Sequence, residues 1–427
     1  MGQDVYAALR DGFTDPIRDV LWGHIYLTPE LAALTKSAPF MRLYRIFQLG
    51  PAYAVYPGAT HTRAAHSIGV YHLARRLLLN LANRGAESWL SPVGAVSFLC
   101  AALLHDLGHF PYTHSLKELP LRRHEELTAE IILSEPVKSL VARAGGDPAL
   151  SAAIVDTGLP VGSEKEPVFY RKLLSGVLDP DKLDYLNRDA RYCGVPYGAQ
   201  DVDFILSRLY PHQEQGVTID SKGIPSVESI LFSKYLMYRA VYWHPIVRSA
   251  TGMVKKALLA GLEEGIIRAE ELYGLDDAGL FALLASRPHP LFRLVEQVRI
   301  GRFYGAVAEF PFNGADHRDL LDISRRSRYE EALATELSEA LGETLRPEDV
   351  LIDVPEPISF ETGLYVSDEG CYFSESSSVF NAGSVESFVK SLRIIRIFVD
   401  PEHENRVKSC SKLNEILHIR KKWLNLM

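Results

Sequence analysis

Cysteine is scarce in this chain of 427 residues, and its four copies, Cys100, Cys193, Cys371 and Cys410, are scattered with no CxxC pair. That spacing excludes a disulfide framework and a cysteine-held zinc site. No apolar run reaches the roughly 20 residues that a membrane-spanning helix needs, and the opening MGQDVYAALRDGF lacks the basic-then-apolar layout of a secretory signal. A cytoplasmic protein with no membrane partner is therefore expected. An excess of positive charge is missing too: 46 basic against 54 acidic residues leave a net charge of -8. That balance lowers the expectation of nucleic-acid binding, although a local basic pocket would still permit it. No tandem repeat is present, and SESSS (374–378) is too short to count as low complexity.

What is present is helical patterning. LWGHIYL (21–27) alternates as a short strand does. Thr28 and Pro29 then open a helix as cap and first residue, and a second short helix is expected to end near Gly50. From Thr62 to about Ala82, Ile68, Leu73, Leu77 and Leu81 recur at helical spacing and put His66 on the first turn of a long amphipathic helix. The apolar VGAVSFLCAALL (93–104) delivers His105 and Asp106 to the end of a buried helix, which Gly108 can terminate. A His-Asp pair there is as a rule a satisfied buried hydrogen bond; a pair of ligands is the alternative. The loop beyond carries His109, His114 and His124, which either line a site or are solvated loop side chains.

Helical patterning resumes over 129–144, and GGDPAL (145–150) and PVGSEKEP (160–167) read as surface connections. Asp181 opens the next helix, on which Lys182, Tyr185 and Asp189 fall at i, i+3 and i+7 and present a cation, a phenol and a carboxylate on one face. HQEQGVTIDSKGIPS suggests a β-hairpin. Residues 227–262 read as a long helix or helix pair, with Lys234, Tyr238 and Tyr242 repeating every fourth residue. An aromatic stripe of that kind is usually core, whereas the lysine within it argues for a lined cavity. Beyond Pro311 come a helix over 319–341, strands in LIDVPEP, GLYVSDEGCYFSE and SLRIIRIFVD, and a final basic helix. The expected fold is mainly α, with a helical domain over 1–310 that includes short N-terminal strands and a smaller α+β region over 311–427.

HTRAAHSIG (61–69), LLHDLGH (103–109) and DPDKLDYLNRD (179–189) resemble the motifs of the HD superfamily of helical metallohydrolases. With DPIRDVLWGHIYLTPE, RIFQLGPAYAVYPGAT and MYRAVYWH in the same order, the chain looks like the deoxynucleoside triphosphate triphosphohydrolases of that superfamily, in the branch holding the SAM-and-HD-domain enzyme and its bacterial relatives. The similarity covers roughly 15–262. It implies that His66, His105, Asp106 and Asp181 hold one divalent transition metal (Mn, Fe, Co, Ni or Zn), for which mixed nitrogen and oxygen ligation is suited.

The same resemblance places Gln48 and Leu49 beside the nucleotide sugar, Arg63 and Lys182 on the phosphates, and Tyr185 and Asp189 near the ribose. Tyr242 would pack against the deoxyribose and exclude a 2′-hydroxyl; Tyr238 and Lys234 join the substrate-binding set, the latter where an arginine is common. His109, His114 and His124 match the histidines around the α-phosphate. The implied reaction hydrolyses a deoxynucleoside triphosphate to deoxynucleoside and inorganic triphosphate. Mg would arrive with the substrate, and His114 would donate a proton to the leaving 5′-oxygen, since an imidazole titrates near working pH.

Lys117 stands where an acidic residue is usual three positions after His114, which makes Glu118 the candidate replacement for orienting a catalytic histidine. Ala65 and Asn187 depart from the pattern as well, and no sterile-α-motif module is read ahead of the HD region. A homo-oligomer, dimer or tetramer, with an activating nucleotide between subunits is implied. Two other readings stand beside this one: an HD phosphohydrolase or phosphodiesterase for another nucleotide or single-stranded nucleic acid, and a nucleotide sensor with a weakened site, which Lys117 supports.

Overall fold

Apolar spacing sets the central packing. Helix Arg63–Ala82, capped by the Thr62 side chain at the backbone N–H of Ala65, buries Ile68, Leu73, Leu77 and Leu81 against helices Pro92–Leu104 and Pro180–Cys193. The computed structural model describes residues 4–161, 165–377 and 379–418. Pro92–Leu104 is buried from Ser97 onward on every side, as the middle helix of a large helical domain must be. Each leucine fully removed from water there contributes about 2 kcal/mol. Helices His124–Leu133, Pro148–Val155 and Lys165–Leu174 complete the shell, and the fold is mainly α as expected. No helix of the described residues is long and apolar enough to cross a membrane.

The N-terminal alternation becomes a hairpin of Asp15–Asp19 and Gly23–Leu27, and Thr28 caps helix Pro29–Thr35 as its sequence predicts. The next helix, Ala38–Leu43, stops well short of Gly50. Its continuation is claimed by a bridge between Phe47 and Thr62, with Gln48 N–H donating to His61 O and Arg63 N–H donating to Ile46 O. The pattern over 129–144 is two helices, broken before Val137–Arg143 where Pro136 has no N–H to give. GGDPAL is not merely a surface connection: Asp147 caps helix Pro148–Val155, which buries Ser151, Ala152, Ala153 and Ile154. Proline at a first helical position imitates a loop signal.

The C-terminal region builds a three-stranded antiparallel sheet with Ile394–Val399 between Gly305–Pro311 and Val350–Asp353, backed by helix Ile323–Leu341. The basic stretch of the expected last helix, from 419 on, lies outside the described residues; helices Pro401–Lys408 and Leu413–His418 precede it. Two short strands, Tyr365–Val366 and Cys371–Tyr372, leave this sheet altogether. They extend the hairpin Leu209–His212/Gly216–Ile219, with Thr218 beside Tyr365 in parallel pairing. The strap before them, 354–364, has no regular structure and sinks Ile358, Phe360 and Leu364 into the main helical core.

Ion pairs fasten the regions from below. Arg248, on helix Pro245–Glu263, makes a two-pronged contact with Asp353 at 2.6 and 2.9 Å and reaches Glu356 at 3.0 Å. Arg248 and Asp353 are both buried, so truncating one leaves the other charged and unpaired. Arg248→Met is expected to destabilise the protein by about 3–5 kcal/mol, measured by urea denaturation.

Candidate metal centre and active site

Three helices bring the histidine and aspartate motifs to one point. His66 sits on the first turn of Arg63–Ala82, His105 caps the C-terminus of Pro92–Leu104, and Asp181 lies in the first turn of Pro180–Cys193. His66 Nε2 is 3.0 Å from Asp181 Oδ1, His105 Nε2 is 3.9 Å from the same oxygen, and 3.3 Å separates His105 Nε2 from Asp106 Oδ1. His66, His105 and Asp181 therefore face one another, with Asp106 beside His105. Donor atoms of His66, His105 and Asp181 lie within 4.8 Å of one another, and Asp106, His109 and His124 form a second such group beside the first.

Partners behind the ligands decide which ring nitrogens face inward. Asp184 Oδ2 lies 2.9 Å from His66 Nδ1, and the Ala102 carbonyl lies 3.0 Å from His105 Nδ1. Both are acceptors, so each Nδ1 carries a hydrogen and each Nε2 is the free ligand atom. His105 Nε2 is buried and has no hydrogen-bond partner among the described residues, which is the orphaned lone pair a cation would take. The site fits a divalent ion in donor type and in direction.

Asp184 belongs to a network the sequence reading did not find. Arg188 Nε and Nη2 donate to its two oxygens at 2.8 and 2.9 Å, the Trp22 indole N–H donates at 2.6 Å, and Arg188 reaches back to Asp19 at 2.9 Å. Gly69 makes room for it, since a Cβ there would lie 1.9 Å from Asp184 Oδ1. The signals were present: Asp184 and Arg188 are spaced i, i+4 on the helix of Asp181, and Gly69 falls one turn after His66.

Burial alone would depress the charge on His66, but hydrogen bonds and charges from Asp181 and Asp184 outweigh it and raise its pKa to about 10. Asp181 is likewise held well below the usual carboxylate range, against burial, by His66 and His105. Asp106 is also held far down despite burial, by His109, His105 and Arg63, whose Nη1 donates to Oδ2 at 2.8 Å. A proton on His66 thus occupies the ground a cation would need.

The second group continues into His109, His114 and His124, with ring centres 3.9 to 5.3 Å apart. Desolvation, their mutual repulsion and the charge of Arg63, joined at His114 and His124 by that of Lys117, push all three far below the ordinary imidazole value. For His114 these influences run against the expectation of titration near working pH, while its exposure to the cavity lets water temper the shift. His109 is fully buried behind Asp106, 3.1 Å from Oδ1. Tyr112, which opens the turn carrying His114, has a left-handed backbone at φ 61°, a conformation that bulky residues adopt only under constraint.

His66, His105, Asp106, His114, His124 and Asp181 line a cavity of about 450 Å³, a size typical of ligand sites, and His109 lies behind it. Gln48, Leu49, Arg63, Tyr185, Asp189, Tyr238 and Tyr242 all line it, as expected. Asp189 is gripped from two sides: the Tyr242 hydroxyl donates to Oδ2 at 2.7 Å, and His61 Nε2 lies 2.8 Å from Oδ1, with its ring stacked on Tyr192. His61 escaped the sequence reading although it stands five residues before His66. Gln48 Oε1 has no partner among the described residues, so it can receive a ligand donor.

Besides His109, three expected residues do not face the cavity. Lys182 Nζ donates to Asp179 Oδ2 at 2.6 Å and Gly176 O at 2.9 Å. Lys234 Nζ donates to Ser359 O at 2.7 Å and to Glu361 Oε2 at 3.1 Å. Glu118 points away from every histidine to pair with Lys255 and, at 2.6 Å, with Arg326, so it orients none of them. Those cations overcome its burial and hold it below the usual range. Lys117 does line the cavity, as do Glu356, Pro357 and Ile358 of the strap, which no motif announced.

Comparison with known proteins agrees with this architecture. The HD domain model matches residues 63–152 and the HD associated region model matches 201–425. The chain belongs to the HD-domain family that carries this associated region. It is 38% identical over 225 residues to the uncharacterized protein YwfO of Bacillus subtilis, covering 53% of this chain and 50% of that one. With the human deoxynucleoside triphosphate triphosphohydrolase SAMHD1 it shares 28% identity over 274 residues, 57% of this chain and 44% of the relative, so in both cases about half of the relative's length or less is spanned. A crystal structure of a hypothetical protein from Aquifex aeolicus superimposes with a TM-score of 0.70 at 27% identity, over 92% of this chain and 99% of the other.

Two measurements address the metal centre. Below about pH 10 a cation must displace the His66 proton, so affinity is expected to rise with pH, about tenfold per unit between pH 7 and 9, with release of about one proton per ion. Calorimetric Mn titrations in buffers of different ionisation enthalpy report that proton directly. Asp184→Asn, which loosens His66, is expected to weaken Mn binding by about 10–100-fold.

Proposed function

We propose that the protein is a metal-dependent phosphohydrolase that converts deoxynucleoside triphosphates to deoxynucleoside and inorganic triphosphate. The observation that carries this reading is the convergence of His66, His105, Asp106 and Asp181 on a cavity that ends at the Asp189–Tyr242 pair. Those four side chains would hold the divalent ion. When bound, such an ion supplies Lewis acidity at a phosphoryl oxygen and lowers the pKa of water toward neutrality.

The remaining steps belong to the chain. Arg63 and Lys117 face the cavity as cations for the phosphates, and Arg63 also steadies Asp106. His114 reaches the cavity and is the group to hand a proton to the leaving 5′-oxygen; a neighbouring phosphate raises its proton affinity from the depressed value of the protein alone. His124 keeps the adjoining wall polar, and His109 backs Asp106 from behind it. At the sugar, the ring of Tyr242 is fixed by its bond to Asp189, and a fixed ring cannot retreat from a 2′-hydroxyl. Asp189 retains lone pairs for a 3′-hydroxyl, and Gln48, Leu49, Tyr185 and Tyr238 wall the remainder. Mg accompanying the substrate, assembly as a homo-oligomer and activation by a second nucleotide belong to this proposal through the family resemblance. A nucleotide with fewer phosphates is the second reading, favoured by the pairing of Lys182 and Lys234 with protein acceptors.

Incubation with each deoxynucleotide in Mn or Mg, with anion chromatography of the products, separates the readings. Tripolyphosphate leaving as one unit is expected; orthophosphate or pyrophosphate in its place would reject the leading reading. Asp181→Ala is expected to lose bound metal and turnover together. Tyr242→Ala is expected to narrow the preference for deoxyribose over ribose by about tenfold or more, scored as the ratio of kcat/KM values.

A further inference from the structure

Two lysines approach the cavity from behind its tyrosines. Lys182 directly follows Asp181 and stands one turn before Tyr185, and Lys234 stands one turn before Tyr238. Neither ammonium is free. Lys182 is held by Asp179 and Lys234 by Glu361, whose charge also acts on Lys182. With two carboxylates against two ammonium groups, this cluster behind the tyrosines carries no net charge.

The two carboxylates are built differently. Asp179 is a helix cap, with Oδ1 accepting from Lys182 N–H and a side chain 2% exposed. Glu361 rides on the irregular strap and is 35% exposed; apart from Lys234 its side chain is steadied by the Ser359 hydroxyl, which donates to Oε1 at 2.8 Å. Ile358, Phe360 and Leu364 anchor the strap in the core, so this carboxylate can swing aside while the backbone stays. Lys234, 7% exposed and 5.7 Å from the centre of the Phe360 ring, is too buried to do without an anion. It can exchange one anion for another.

We propose that Glu361 is a specificity-determining residue that stands in for a ligand phosphate. It covers Lys234 and withholds that cation from an anionic tail, and so sets how many phosphates the cavity accepts. The proposal rests on the reading of the cavity as a phosphate-ester site and deepens it. A single phosphate against Arg63 and His114 makes no use of Lys234, whereas a chain of phosphates must compete with the carboxylate to gain it. Neutralising position 361 therefore favours the longer anion.

Calorimetric titration of the purified full chain with inorganic tripolyphosphate and with orthophosphate, at fixed ionic strength, tests this. Glu361→Gln keeps the shape and removes the charge, and is expected to raise tripolyphosphate affinity about tenfold while orthophosphate stays within about twofold. Adding Lys234→Met to it should abolish the gain. Glu361→Ala is expected to give the same pattern and excludes a glutamine that still covers Lys234. Unchanged tripolyphosphate affinity in both variants, or an equal gain for the two anions, overturns the role of Glu361 and leaves the phosphate-ester reading standing. Failure of every form of the protein to bind either anion overturns both.

Discussion

A line of charge, from Asp181 on the cavity wall through the buried His66, Asp184, Arg188 and Asp19, joins two helices to the N-terminal hairpin. Charges so far from water are tolerated only when each is matched in sign and hydrogen bonding. The match fixes more than side chains. Helix Pro180–Cys193 must approach helix Arg63–Ala82 closely enough for Asp184 to touch Gly69, and the hairpin must present Asp19 and Trp22 at the same place. Direction of the His66 ring, helix spacing and seating of the hairpin are therefore one constraint.

A second charged set performs the corresponding task on the opposite side. Arg248, Lys255 and Arg326 meet Asp353, Glu356 and Glu118, so that helix Pro245–Glu263 is tied to the C-terminal sheet and to the turn after His114. Glu118 serves this joint in preference to a histidine because two cations attract it more strongly than a neutral imidazole could. Through the strap the same joint reaches the cavity wall. The C-terminal region is thus part of the site even though it contains no motif of metal or phosphate chemistry.

The helical site shows how local and distant information divide. His66, the His105-Asp106 doublet and Asp181 were legible because helix periodicity and caps say where on a helix each falls, and helix ends are where ligands gather. Asp189, Tyr185 and Tyr242 were legible by face. Lys182 and Lys234 were placed correctly on their helices, but a lysine has four rotatable bonds, and the partner that claims its ammonium is chosen after the chain folds. His61, Trp22, Asp19 and Glu361 carried no local signal, since each acts through a residue 120 or more positions distant, as for His61 with Asp189 at a separation of 128 and Lys234 with Glu361 at 127.

By itself the sequence determined the helical class and where on their helices the four candidate ligands and the cavity-lining tyrosines fall, because periodicity and capping are properties of neighbouring residues. Tertiary structure alone decided which ring nitrogens face inward, that His109, His114 and His124 are pushed toward the neutral form, and that a C-terminal strap pairs Glu361 with Lys234. Those outcomes depend on burial and on the sign of distant charges, and both quantities exist only once the chain has closed on itself.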